Sequence, residues 1–175
     1  MTPRRSFGTR LRGLGYHTFY RLPAPVRRRL VRLVAPTYTV GAVVLVRDHD
    51  DRLLLLRQPP GLGWSLPGGM MDRGERPVEC AARELAEETG LSVDVGQLSP
   101  AVPNAVAHTR GRWVDFVYQV RVNPDDHQLE VDGGEVLEAR WCSVEGLPPL
   151  TVPAARLLAQ FGLGPYQNYP EVTST

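Results

Sequence analysis

GMMDRGERPVECAARELAEETGL runs from Gly69 to Leu91 and packs Glu75, Glu79, Glu84, Glu87 and Glu88 into one short segment. From Pro77 to Thr89 the apolar spacing is helical: Val78, Ala81, Ala82, Leu85 and Thr89 return to one side at about 100° per residue. Glu84, Glu87 and Glu88 stand at i, i+3 and i+4 and share another side. Pro77 suits a first helical turn, where its missing N–H is not needed, and Gly90 suits the C-terminal stop. Carboxylates crowded on one face repel one another, the chain contains no Lys, and the helix carries few cations. A hard divalent cation would offset that charge, and an all-oxygen ligand set suits Mg²⁺ or Mn²⁺. The competing reading is a solvated acidic face.

The spacing extends the pattern. Gly69 is followed after five residues by Glu75, and after seven more by Arg83-Glu84-Leu85-Ala86-Glu87-Glu88-Thr89-Gly90-Leu91. This resembles the Nudix box, G-x5-E-x7-R-E-U-x-E-E-x-G-U with U apolar, at every specified position. The resemblance covers about residues 38–150 and implies the Nudix fold, a mixed β-sheet sandwiched between helices with the box as loop–helix–loop. Pattern alone gives only α/β or α+β. One position departs: Arg76 stands where many boxes carry a capping Ser or Thr. Asp72 or the loop backbone could cap the helix in its place.

Outward from the box, residues 39–48 (TVGAVVLVRD) read as a buried strand and 52–57 (RLLLLR) as its hairpin partner across Asp48–Asp51. Trp64-Ser65-Leu66 reads as a short strand entering Pro67-Gly68-Gly69. Downstream, a bent strand is expected over 92–102, a loop over 104–111, and a half-buried strand over 112–122, where Trp113, Asp115, Val117, Gln119 and Arg121 alternate with apolar residues. Asp132–Glu135 reads as a flexible acidic loop, 138–142 as a strand and 151–161 as a closing helix.

Lys and Arg number 20, all Arg, against 19 acids, for a net charge of +1. Residues 1–35 hold nine of the arginines and no acid, leaving eleven against the 19 acids, or −8, for the rest. Three segments are therefore expected: a basic extension at 1–36 with a short amphipathic helix near 23–34, a domain at 37–162 and an irregular tail at 163–175. The helix's stripe of Val26, Leu30, Leu33 and Val34 could pack on the domain or a second copy in a homodimer. Its arginines could meet nucleic acid or a membrane surface. Two distant cysteines, Cys80 and Cys142, and no spanning apolar run or signal segment suit a cytoplasmic protein.

The resemblance implies a Mg²⁺- or Mn²⁺-dependent hydrolase that splits a nucleoside diphosphate linked to another moiety by water attack at phosphorus. It implies Glu84, Glu87, Glu88 and the Gly68 carbonyl as metal ligands. Glu75, paired with Arg83, and the glycines Gly69 and Gly90 would support the box. The proton acceptor is Glu135, in the loop before the last strand, or Glu84. Arg57 and Trp64 are candidate substrate contacts. Secondary motifs of the coenzyme A, NADH, ADP-ribose and dinucleoside polyphosphate types are absent, leaving a nucleoside triphosphate or NDP-sugar. Two other readings stay open, a nucleotide-binding or sensing module with little turnover and an RNA 5′-end pyrophosphohydrolase using the arm.

Overall fold

The structure, a computed structural model, describes residues 16–109, 111–126 and 128–168. The chain forms two compact units divided between Thr37 and Tyr38. In the first, residues 16–21 are helical and α1 follows over Ala24–Val34. α1 stops at Ala35, which is extended (φ −75°, ψ 138°) because the ring of the next residue, Pro36, disfavours helical backbone there. Arg27 covers the Tyr20 ring at 5.4 Å. The expected loose start over 1–15 lies outside the described residues.

The second unit is one mixed sheet. Its strands are β1 (Thr39–Arg47), β2 (Leu53–Arg57), β3 (Trp64–Ser65), β4 (Gly68–Met70), β5 (Ser99–His108), β6 (Trp113–Arg121) and β7 (Glu138–Cys142). Their order is β3-β2-β1-β6-β5, with β4 added on β1 and β7 on β2. β1 and β6 pair in parallel over their whole length, Thr39 with Trp113 through Arg47 with Arg121. β1 is thus central, and its run of branched residues is buried on both faces, as a strand covered on both sides requires.

Helices cover the two faces. α2 (Pro77–Thr89) buries Cys80, Ala81 and Leu85 against Ala42, Val44, Val46 and Leu54. α3 (Val152–Ala159) buries Leu157 and Leu158 against Leu45, Leu53, Leu55 and Val117. The leucines of β2 alternate between these two cores, and each buried Leu contributes roughly 1.5–3 kcal/mol. Asp48 closes the β1–β2 turn by accepting N–H bonds from Asp50 (2.9 Å) and Arg52 (2.8 Å).

Three sequence expectations are corrected. The strand expected over 92–102 starts later and runs further: Val95–Gln97 is a 3-10 turn, and β5 extends through His108. Pro100 and Pro103 obscured it, but the pairing with β6 tolerates them by shifting register between Pro100 and Ala105. β6 is half-buried as expected over its second half, with Tyr118 and Val120 in the α2 core and Gln119 and Arg121 exposed, but Val117, on the row expected to face outward, enters the α3 core. The Asp132–Glu135 loop is a built turn: the Asp132 carboxylate accepts the N–H groups of Gly134, Glu135 and Val136 at 3.0–3.2 Å. Of the expected irregular tail, Leu163 packs on the α3 core, residues 164–168 follow it, and 169–175 lie outside the described residues.

Candidate active site

α2 begins without a side-chain cap from Arg76, whose guanidinium cannot accept a hydrogen bond. Asp72, one of the two caps expected in its place, is tied through its backbone to Glu75, its N–H donating to the Glu75 carboxylate at 2.8 Å and its carbonyl accepting the Glu75 N–H at 3.3 Å. Instead Glu79 accepts the Arg76 N–H at 2.9 Å and meets its guanidinium at 2.8 Å. Gly90, in the left-handed region at φ 75°, ends the helix by donating to Ala86 at 2.9 Å.

The acidic face of α2 is not short of positive charge after all, because Arg83 sits in its middle. Its Nε and Nη2 grip both oxygens of Glu75 at 2.9 and 3.1 Å. Nη1 reaches Glu84 at 2.8 Å and Glu87 at 3.0 Å, and Nη2 also donates to the Met70 carbonyl at 3.1 Å. The Arg83 fork beside Glu75 pulls that carboxyl down to about 2. The box loop is thereby tied to the helix and to β4 through one guanidinium.

Glu88 is placed differently. Although one turn from Glu84, it is 7% exposed, whereas Glu87 is largely in solvent. Its Oε2 accepts the Gly68 N–H at 2.8 Å and its Oε1 accepts from Gln58 at 2.7 Å. Burial raises the Glu88 carboxyl to about 7; the Gly68 N–H opposes this, and the charges of Glu84, Glu135 and Glu87 add to it. Glu135 therefore lies within electrostatic reach of Glu88, on the turn that Asp132 holds.

The two glycines of β4 make this approach possible. A Cβ on Gly68 would collide with the Ala42 carbonyl, and its φ of 152° disfavours other residues. A Cβ on Gly69 would collide with the Glu84 carboxylate. Among the described residues, no three His, Cys, Asp or Glu side chains converge in metal-holding geometry. The trio expected to converge is instead divided, Glu84 and Glu87 drawn to Arg83 and Glu88 to Gly68 and Gln58. The donor set nevertheless fits a hard divalent cation: it offers oxygens only, three carboxylates and a backbone carbonyl, and the charges of Glu84, Glu135 and Glu87 bear on the buried Glu88.

Arg57 and Trp64 are turned to other uses. Arg57 pairs with Glu138 at 2.9 Å, its cross-strand partner on β7. Trp64 is buried in the α3 core with the Arg140 guanidinium 4.4 Å above its ring.

Sequence reasoning passed over a second group. On the other side of the β4 glycines lies a cavity of about 380 Å³, lined by Gly41, Val43, Gly68, Gly69, Trp113 and Asp115 among others. Trp113 Nε1 donates to Asp115 Oδ2 at 3.1 Å, His108 Nε2 lies 3.0 Å from the same oxygen, and the His108 and Trp113 rings stack at 4.4 Å. His108 lay in the expected loop, so its pairing with Trp113 across β5 and β6 was not legible.

A family model described as the NUDIX domain matches residues 37–161. The chain is 32% identical over 120 residues to a Bacillus subtilis (strain 168) protein carrying the provisional name 8-oxo-dGTP diphosphatase, covering 66% of this chain and 74% of that one. It is 32% identical over 158 residues to the RNA pyrophosphohydrolase of Caulobacter vibrioides, covering 80% of this chain and 92% of that one. Three further relatives are matched over less than half of their own length. Among solved structures, a MutT NUDIX hydrolase from Burkholderia pseudomallei superposes with a TM-score of 0.58 at 25% identity, covering 67% of this chain and 93% of that one. The complete box, the sheet between helices and the family match together make this chain a member of the NUDIX hydrolase family.

Proposed function

We propose that the chain hydrolyses the pyrophosphate linkage of a nucleoside triphosphate or NDP-sugar by water attack at phosphorus, with Mg²⁺, or Mn²⁺, as its cation. The observation that carries this reading is Glu88: a carboxylate buried under the β4 glycines through the Gly68 N–H, raised to about 7 by burial, and under the charge of Glu84, Glu135 and Glu87. Glu84, Glu87, Glu88 and the Gly68 carbonyl would hold the metal. When bound, the cation would offset phosphate charge and lower the pKa of water. Arg83 and Glu75 keep Glu84 and Glu87 in place by ion pairing, and Gly69 lets Glu84 approach the backbone. Glu135 takes the proton of the attacking water, because Glu84 is already committed to Arg83. Asp132 fixes the Glu135 backbone by accepting its N–H.

The test is Mg²⁺-dependent turnover of a panel of nucleoside triphosphates and NDP-sugars, with products resolved by chromatography. Glu88→Gln keeps an acceptor for the Gly68 N–H and should fold. Its kcat should fall at least as far as the roughly 10–100-fold typical of losing a metal-site support residue. Unchanged turnover by that variant would refute the metal assignment. Nucleotide binding without turnover by the unaltered chain would favour a sensing module.

A second reading, hydrolysis at RNA 5′ ends, is favoured by the nine arginines of residues 1–35 and by the Caulobacter relative.

A further inference from the structure

Asp115 lines the cavity beside β4, with its side chain only 14% exposed. In the parallel β1–β6 pairing it stands opposite Gly41, so its carboxylate lies over a residue with no side chain. A Cβ on Gly41 would come 2.9 Å from Asp115 Oδ1 and 2.7 Å from the Gly69 carbonyl. The missing side chain is therefore what keeps the space before Oδ1 clear. The Trp113 ring N–H donates to the other oxygen, Oδ2, and His108 Nε2 stands 3.0 Å from that same oxygen. Oδ1 faces Gly41 with acceptor capacity to spare, since a carboxylate accepts and does not donate while ionised. The Trp113 ring, packed against Gly111, and the His108 ring stacked on it fix the carboxylate sideways.

The cavity shares a wall with the carboxylate cluster. Gly68 and Gly69 line it, and these same residues touch Glu88 and Glu84. Its volume of about 380 Å³ falls within the roughly 300–1,000 Å³ of small-molecule sites. A nucleotide whose phosphates engage the glutamates would have this cavity as the neighbouring space for its base.

Resting on the proposed hydrolase reading, we propose that Asp115 is the base-specificity residue and that it selects a guanine-type base. An acceptor-only carboxylate favours an edge with adjacent N–H donors. Guanine alone among the common bases presents two, N1–H and the 2-amino group. Adenine and cytosine place a ring acceptor beside their amino group, and thymine or uracil flank one N–H with two carbonyl oxygens, which a carboxylate repels. Trp113 acts as the positioning residue, holding Oδ2 so that Oδ1 meets the base, with the His108 ring stacked on its own.

The experiment compares dGTP with dITP, which lacks only the 2-amino group, in the unaltered chain, Asp115→Asn and Glu88→Gln. The unaltered chain should favour dGTP over dITP in kcat/KM by about 10–100-fold, the range for one well-placed base contact. In Asp115→Asn that ratio should fall to near one. A ratio near one in the unaltered chain overturns the proposal without reference to any variant, and so does a ratio that Asp115→Asn leaves intact. Either result leaves the hydrolase reading standing if turnover still depends on Glu88. If the unaltered chain turns over neither nucleotide, the hydrolase reading fails for them. The ratio of Kd for dGMP and dIMP then decides: a preference for dGMP lost in Asp115→Asn supports the assignment, and equal affinities overturn it.

Discussion

Asp48 is 1% exposed at the tip of the β1–β2 hairpin, where a charge must be matched to survive. Burial alone would raise its carboxyl, but the Arg52 N–H and side chain and the Asp50 N–H more than offset this and hold it below the ordinary range. A carboxyl depressed on folding stabilises the native state above its unfolded value, near pH 4, and the contribution fades as pH falls through the lower folded value. Asp48→Asn should therefore lower stability by about 1–3 kcal/mol at pH 7, and the gap should narrow below about pH 4. Denaturant unfolding of both proteins across that range checks it; a gap independent of pH would refute the electrostatic account. At this scale the sequence was legible where the chemistry is local. The spacing of Glu75, Glu84, Glu87 and Glu88 singles out the α2 segment, but a helical wheel treats Glu87 and Glu88 as equals. Only β4, lying over one of them, separates a solvated carboxylate from a buried one.

α2 was legible to its last residue, since Pro77 and Gly90 mark ends that depend on backbone alone. β5 was not, because its strand character comes from pairing with β6 and not from its own proline-broken sequence. The Asp115 group was hidden for the same reason: three residues on two strands meet only once register is set. The helix stop gives a test at this scale. Gly90 is at φ 75°, and a Cβ there would lie 3.1 Å from the Glu130 Cβ, next to the Glu130 N–H that donates to Thr89 at 2.9 Å. Gly90→Ala should cost about 1–2 kcal/mol, from left-handed strain. That corresponds to a Tm lower by roughly 2–8 °C. Thermal unfolding followed by circular dichroism measures it, and an unchanged Tm would show that the turn relaxes freely.

At the scale of the whole molecule, charge is the clearest feature. Residues 1–35 carry nine arginines and no acid, while the remainder has a balance of −8. A domain of that sign repels polyanions, so affinity for RNA should reside in the extension. Removing residues 1–35 should abolish RNA binding and flatten its dependence on salt, while mononucleotide turnover persists. Binding that survives the deletion with the same salt slope would count against the arm. Sedimentation of the same two proteins tests the α1 stripe: a dimer that becomes a monomer on deletion supports self-association, and a monomer in both removes it. Among the described residues no helix is long and apolar enough to cross a membrane.

The parallel pairing of β1 with β6 also dictates an order of assembly. Thr39 meets Trp113, and the glycine strand, the box loop and α2 all lie in the chain between them. Closing that long loop costs entropy before any of its hydrogen bonds form. During synthesis β1 and α2 emerge first and must wait for β6, with one edge of β1 unpaired and apolar. The box glutamates draw their contacts from residues 58–88, all made before β6, but the Asp115 cavity exists only after that closure. A nascent chain that has not yet released β6 could thus carry its acidic helix and still have nowhere to seat a base.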